Sequence, residues 1–145
     1  MATRLKVDVS GLEEFEQQLK QVTEREMQRF TEQMVKELAG IALAKIIERT
    51  PVGEYPTSSG KQGGTLRRNW IVGEVTRKGD LYEIEIVNST DYASYVEYGH
   101  RTSNHAGWVE GRFMMTISEQ ELESIGPAII DRRLTAFLKG VFDGK

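Results

Sequence analysis

The chain has 145 residues, of which 39% are hydrophobic and 28% are charged, values that fit one globular domain with its own core. Its formal net charge is -3, so it lacks the basic excess of a protein that neutralises nucleic-acid phosphates. The absence of cysteine excludes disulfides and thiolate metal sites. Because no apolar run approaches the roughly 20 residues that cross a bilayer, we expect a soluble, unexported chain without a membrane partner.

A short strand is predicted at the start of the chain, over residues 1–9. Polar and apolar residues alternate there, which places Leu5, Val7 and Val9 on one side and is typical of a half-buried strand. Because the strand is short, we expect it at the edge of a sheet.

A long helix is predicted over residues 10–49. Ser10 and Glu13 have the spacing of a capping box, and apolar residues then recur every three or four positions. The apolar stripe slips by one position near residues 23–26, which indicates either a bend or a continuous helix whose halves face different neighbours. A continuous helix would be roughly 60 Å long, so part of its apolar face should meet another subunit. Pro51 ends the helix, because proline disfavours helical geometry in the preceding residue.

A flexible loop is predicted over residues 50–64, which are rich in glycine, serine and proline. The segment GKQGGT within it lacks the spacing of a Walker motif, so the signal for nucleotide binding is weak. Residues 65–117 should then form a sheet interrupted by a short aromatic helix and a second loop.

The sheet is predicted to open over residues 65–70. Its clearest hairpin joins residues 71–76 to residues 81–87 through a glycine-bearing turn at residues 77–80. The second arm alternates large apolar residues with glutamates, although both of its faces should be partly covered. The side chains expected to point inward near the opening are Leu66, Trp70 and Val72.

The short aromatic helix contains Tyr92, Tyr95 and Tyr98, whose spacing of three puts them on one flank of the helix. Gly99 should end this helix, because a residue without a Cβ adopts positive φ at no steric cost. We expect the three rings to be mostly packed in the core. Residues 100–107 are polar and small, and should form an exposed loop that touches partners.

The C-terminal part is predicted to contain a strand over residues 111–117 and a helix over residues 118–142. Ser118 and Glu121 repeat the spacing of a capping box, and Pro127 should cause a kink or a new helical start. Together these elements predict an α+β fold. Long N-terminal and C-terminal helices would pack on a small, mainly antiparallel β-sheet with two long loops, in a single domain that spans the whole chain.

Two alternative functions follow from chemistry-bearing side chains. His100, His105 and Glu97 could serve a small metal-dependent hydrolase, but the histidines are five residues apart in a loop, whereas helical two-histidine sites need a spacing of four. A DNA-channel-lining protein could use Arg67 and Arg68 at the margin of the first loop. Since no serine-hydrolase elbow occurs either, we expect no catalytic residue, no cofactor and no metal.

Three blocks of sequence resemble the phage tail-component family. They are TPVG at residues 50–53 with GTLRRNW at residues 64–70, then NSTDYASYVEYGH at residues 88–100, and GRFMM at residues 111–115. Each block is loose by itself, but their order and spacing agree with the family. Its members are tail-completion, neck or head-to-tail joining proteins of long-tailed phages and of phage-derived particles.

The resemblance implies an α+β, non-enzymatic structural subunit that forms a homo-oligomeric ring, a hexamer, at the head-proximal end of the tail tube. Its partners would be further copies of itself, the tail tube or sheath and neck proteins, with a passing contact to DNA. The protein would reside in the virion or a phage tail-like particle, after assembly in the host bacterial cytoplasm.

Two departures from the family pattern concern the loops, because the gap at residues 54–63 is longer than usual and residues 100–108 are specific to this chain or to a subgroup of the family. These loops should therefore decide which neighbour is bound. The residues expected to contact partners are Arg67, Arg68, Trp70, Tyr95, Glu97, Tyr98, His100, Arg101, Trp108, Arg112 and Phe113.

Overall fold

The structure, a computed structural model, describes residues 1–9 and 24–143, with side chains described through residue 141. The long helices and short strands of these ranges confirm the α+β class. In chain order the elements are β1 (Ala2–Asp8), α1 (Glu24–Arg49), α2 (Thr65–Arg68), β2 (Trp70–Val72), β3 (Thr76–Lys78), β4 (Leu81–Asn88), α3 (Ala93–Tyr98), β5 (Gly99–Arg101), β6 (Trp108–Glu110) and α4 (Met114–Asp143).

The main sheet is built around β4, with β1 on one side and β2 and β3 on the other, all antiparallel. Among the described strands β1 lies at the edge of the sheet, as predicted, and Leu5 lies opposite Ile84 in the register. Tyr82, Ile84 and Ile86 are buried on one face of β4, as their alternation predicted. Glu83 is buried on the other face, so both faces are indeed partly covered.

Helices α1 and α4 pack against each other in antiparallel directions. Phe30, near the start of α1, stacks on Phe137, near the end of α4, with ring centroids 4.6 Å apart. At the other end, Lys45 donates to a carboxylate oxygen of Glu121 at 2.9 Å. Hydrogen bonds from Lys45 and Arg49 lower the pKa of Glu121. No helix in the described ranges is long and apolar enough to cross a membrane.

The core lies where α1 meets the sheet on one side and α4 on the other. Burying large apolar side chains in this way contributes about 2 kcal/mol for each one. The buried hydrophobic residues of this cluster are Met34, Leu38, Ala42, Ile46, Leu66, Trp70, Ile86, Ala93, Met114, Met115 and Leu122.

The predicted opening of the sheet at residues 65–70 is wrong in its first part, because Thr65–Arg68 form a helical turn. Gly64, with a φ of 94°, begins the turn, and its carbonyl accepts the N–H of Arg68 at 3.0 Å. The sheet therefore starts at Trp70. The inward direction of Leu66 and Trp70 is confirmed, since both are buried.

The strand predicted over residues 111–117 is also wrong, because α4 begins at Met114. The C-terminal helix thus starts four residues earlier than its Ser118 capping box suggested. Ser118 is buried inside the helix, where its hydroxyl donates to the carbonyl of Met114. Pro127 lies within α4, which continues through it without a new start.

The predicted hairpin is confirmed with altered bounds. Its first arm is split into β2 and β3, and the turn before β4 consists of Gly79 and Asp80. Gly79 has a φ of 60°, which suits a residue without a Cβ. The predicted helix end before Pro51 is confirmed, since α1 ends at Arg49. The first part of the predicted helix, residues 10–23, lies outside the described residues, and with it the Ser10 capping box and the apolar residues that precede the slip.

Candidate interaction surface

Thr50 fastens the end of α1 to the start of the sheet. It is fully buried, and its hydroxyl donates to the carbonyl of Ile46 at 2.6 Å while accepting the indole N–H of Trp70 at 2.9 Å. Arg67 donates from Nε and Nη2 to the Thr50 carbonyl at 3.2 and 2.6 Å. The first two parts of the sequence pattern, TPVG and GTLRRNW, therefore meet inside the fold.

Replacing Thr50 with valine should lower the free energy of unfolding by about 1.5 kcal/mol, because the buried indole N–H of Trp70 loses its acceptor while the side-chain volume stays the same. Urea denaturation followed by circular dichroism would measure the change. Thr57→Val, at an exposed position of the first loop, is the control and should stay within about 0.5 kcal/mol of the parent. Equal effects of the two substitutions would contradict this role.

Asn88 joins the end of β4 to the neighbouring segments. Its buried side chain donates from Nδ2 to the carbonyl of Leu66 at 2.8 Å and accepts the N–H of Thr90 at 3.0 Å through Oδ1. The second contact is a side-chain turn of the kind that asparagine favours. Asn88 thus sets the direction in which the chain leaves the sheet toward α3.

Glu97 is fully buried and caps the first turn of α4 from within α3. Its carboxylate accepts the N–H of Met115 at 2.9 and 3.0 Å, and the N–H of Thr116 at 3.1 Å. The Thr116 hydroxyl adds a contact at 3.3 Å. A negative charge at the start of a helix is favourable, because the first amides lack partners within the helix. Glu97 therefore fixes where α4 begins.

The segment after β6 packs directly on α3. The N–H of Arg112 donates to the carbonyl of Val96 at 2.7 Å, and that of Phe113 donates to the carbonyl of Glu97 at 3.0 Å. Gly111 permits this approach, because a Cβ on it would lie 2.4 Å from the Glu97 carbonyl oxygen. The β5–β6 hairpin is consequently held at both of its ends.

This frame presents a set of exposed rings, which we name the aromatic surface and define as Tyr92, Tyr95, Tyr98, Trp108 and Phe113. The predicted core packing of the tyrosines is wrong: Tyr92, Tyr95 and Tyr98 are 44%, 58% and 61% exposed. The buried side of α3 carries Ala93 and Glu97 instead. The other flank of α3 faces the core, and from it the Glu97 carboxylate accepts the first amides of α4.

Two rings of the aromatic surface contact each other, and a third contacts His100. Tyr98 meets Phe113 edge-on, with ring centroids 6.5 Å apart, and Tyr95 lies 6.0 Å from the ring of His100. Trp108, on β6, is 56% exposed. Exposed aromatic rings are enriched at protein–protein contacts, so these rings are candidates for such a contact.

The second loop is shorter than predicted, because β5 extends to Arg101 and β6 begins at Trp108. Residues 102–107 are tied internally: the Thr102 N–H donates to the Gly107 carbonyl, and the Gly107 N–H donates to the Thr102 hydroxyl, both at 3.0 Å. Arg101 and Arg112 are exposed beside the aromatic surface, and His100 is half-buried.

A family model described as "Bacteriophage HK97-gp10, putative tail-component" matches residues 13–99, more than half of the chain. The chain belongs to this family of phage tail components. No curated protein and no solved structure gave a match. The matched range includes Thr50, Asn88 and Glu97, so the tail component carries these three buried polar contacts within the part that defines its family.

Three of the residues expected to contact partners have roles inside the tail component. Trp70 and Glu97 are buried, where they hold Thr50 and the start of α4. Arg67 is half-buried against the Thr50 carbonyl, whereas Arg68 is exposed and donates to the Gly63 carbonyl at 3.2 Å. Apart from Arg68, the remaining expected residues belong to α3, the β5–β6 hairpin or residues 112–113, which carry the aromatic surface.

The hydrolase alternative is not supported by the geometry. The carboxylate of Glu97 is engaged with backbone amides of α4, so it does not join His100 and His105 in a shared site. No group of three His, Cys, Asp or Glu side chains in the described ranges is placed to hold a metal ion.

The contact set predicted from the sequence omits several exposed large hydrophobic residues, among them Tyr92 and Val109, which are each 44% exposed. No local pattern marks Val109, because Trp108, Val109 and Glu110 do not alternate between apolar and polar residues. Tyr92 shares the spacing of Tyr95 and Tyr98, so treating the three alike would have included it.

Proposed function

We propose that this tail component is a non-enzymatic structural subunit of the tail neck, forming a homo-oligomeric ring at the head-proximal end of the tail tube. In this position it would complete the tail or join it to the head. The observation that carries the proposal is the aromatic surface, which is exposed in the subunit although its rings are of the kind that interfaces bury. Family membership supplies the setting of a phage tail.

The rigid frame under the aromatic surface supports this proposal. Interfaces gain affinity when their contact groups are held in place before binding. Here Glu97, Asn88 and Gly111 fix α3 and the β5–β6 hairpin to the ends of β4 and α4. The expected partners are further copies of the chain, the tail tube or sheath, and other neck proteins, in the virion or a tail-like particle assembled in the host cytoplasm.

Native mass spectrometry at micromolar concentration, together with binding to purified tail tubes, tests the proposal. A discrete closed oligomer, expected to be a hexamer, or saturable binding at the tube end would support it. A chain that stays monomeric and also fails to bind tail tubes would overturn it. Tyr98→Ala should weaken either association by about tenfold, because exposed aromatic anchors carry much of the energy of an interface.

A passing contact with DNA is a second proposal, favoured by two exposed cations, Lys61 and Arg68. Phosphate contacts make binding strongly salt-dependent, so affinity for duplex DNA should fall steeply between low and physiological salt. Arg68→Gln should reduce the slope of the logarithm of the DNA affinity against the logarithm of the salt concentration by about one, the value of one phosphate contact. DNA would be excluded as a partner if the affinity did not change with salt concentration, or if no binding occurred at low salt.

A further inference from the structure

A groove of about 430 Å³ runs between the edge strand β1 and helix α4. Its floor includes Leu38, Ala42 and Ile86, and Leu5 and Val7 of β1 are half-buried along its wall. Among residues 1–9 and 24–141, the inner face of the sheet beside β1 is therefore only partly covered.

The outer edge of β1 has backbone groups that can bind another strand. Both ends of β1 are hydrogen-bonded to the β4 side. The Asn88 N–H donates to the Met1 carbonyl at 2.9 Å, and the Val9 N–H donates to the Asp80 carbonyl at 2.8 Å. Because hydrogen bonding alternates along an antiparallel strand, the amides and carbonyls of Arg4 point away from β4. In the described part of the chain no strand pairs with this edge. Such an edge is suited to an added strand.

Two carboxylates on α4 make the helical side of the groove acidic. Glu119 and Glu123 are one helical turn apart and both line the groove. Neither forms an ion pair with a cation among the described residues. The pKa of Glu119 is raised by burial and by the nearby charges of Glu97 and Glu123. A partner that brings a cation to this rim would relieve the repulsion.

The β5–β6 hairpin has one face that matches the groove. Arg101 lies directly opposite Trp108 in the register, so their side chains project from the same face. This face of the hairpin therefore carries a large exposed ring and a cation. The groove is complementary to it, because it has apolar walls and two carboxylates. Glu110 lies farther along the same face of the hairpin.

We propose that the β5–β6 hairpin of one copy docks its Trp108 and Arg101 face into the β1–α4 groove of a second copy. The inference rests on the proposed ring and names the contact that forms it. Because the hairpin and the groove are different surfaces of the chain, the contact is head-to-tail and can be repeated around a closed ring.

A charge exchange tests this contact. Arg101→Glu and Glu123→Arg should each weaken self-association by about tenfold, and the double variant should return to within about threefold of the parent, because the pair is then reversed. Asp131→Arg is the matched control: it makes the same charge change at an exposed position of α4 outside the groove, and should leave association unchanged. Sedimentation equilibrium measures the association, and the tail-tube assay replaces it if the copies meet only on tubes.

Tryptophan fluorescence gives an independent readout. Trp70 is already buried, whereas Trp108 is 56% exposed, so docking should shift the emission to shorter wavelength through Trp108 alone. The shift should vanish in Trp108→Tyr. If rings form but the charge variants behave like the parent and the emission does not move, the contact is wrong while the proposed ring stands. If neither rings nor tube binding is found, both proposals fail.

Discussion

Replacing Glu97 with alanine should lower the free energy of unfolding by about 3 kcal/mol, because it leaves the first amides of α4 buried without an acceptor. The carboxylate accepts the N–H groups of Met115 and Thr116 from a position 18 residues earlier in the chain. Its loss should therefore loosen the contact between α3 and α4 as well as fray the start of the helix.

Urea denaturation would measure the effect of Glu97→Ala. Glu97→Gln keeps the shape of the side chain and one accepting oxygen, but it places an amide nitrogen opposite backbone donors. It should therefore lower the free energy of unfolding by about half as much, roughly 1.5 kcal/mol. Glu110→Ala, an exposed glutamate of β6, is the matched control and should stay within about 0.5 kcal/mol of the parent. A Glu97→Ala protein as stable as this control would show that the cap is dispensable.

Several elements could be predicted from the sequence because their signals are local. The alternation of β1 and β4 identified both strands and the buried faces of Tyr82 and Ile84. The end of α1 followed from Pro51, whose ring restricts the residue before it. The resemblance to phage tail components rested on the order of short blocks, and the family match confirms it.

The start of α4 could not be predicted, because the group that caps it comes from another helix. Ser118 offered a plausible local cap, but Glu97 satisfies the amides of Met115 and Thr116 from a distant part of the chain. Periodicity likewise showed that Tyr92, Tyr95 and Tyr98 share a flank, without showing which flank faces the core. That choice follows from the burial of Glu97, a residue that sequence reasoning assigned to partners.

Gly99→Ala should lower the free energy of unfolding by about 3 kcal/mol and weaken ring formation as well. Gly99 has a φ of 88° and a ψ of 172°, a backbone region that is essentially restricted to glycine. It also lies so close to β6 that a Cβ would be 2.5 Å from the carbonyl oxygen of Val109. Alanine would force β6, which carries Trp108, away from the end of α3.

Gly40→Ala is the matched control for Gly99→Ala, because it makes the same substitution at an exposed position within α1 where a Cβ meets no atom within 4 Å. It should raise the free energy of unfolding by about 0.5–1 kcal/mol, since alanine favours the helix. The two substitutions should therefore change the free energy of unfolding in opposite directions. This difference separates the requirement for glycine at the hairpin from the general effect of adding a methyl group. If Gly99→Ala lost stability yet formed rings with unchanged affinity, the hairpin would not contribute to the ring contact.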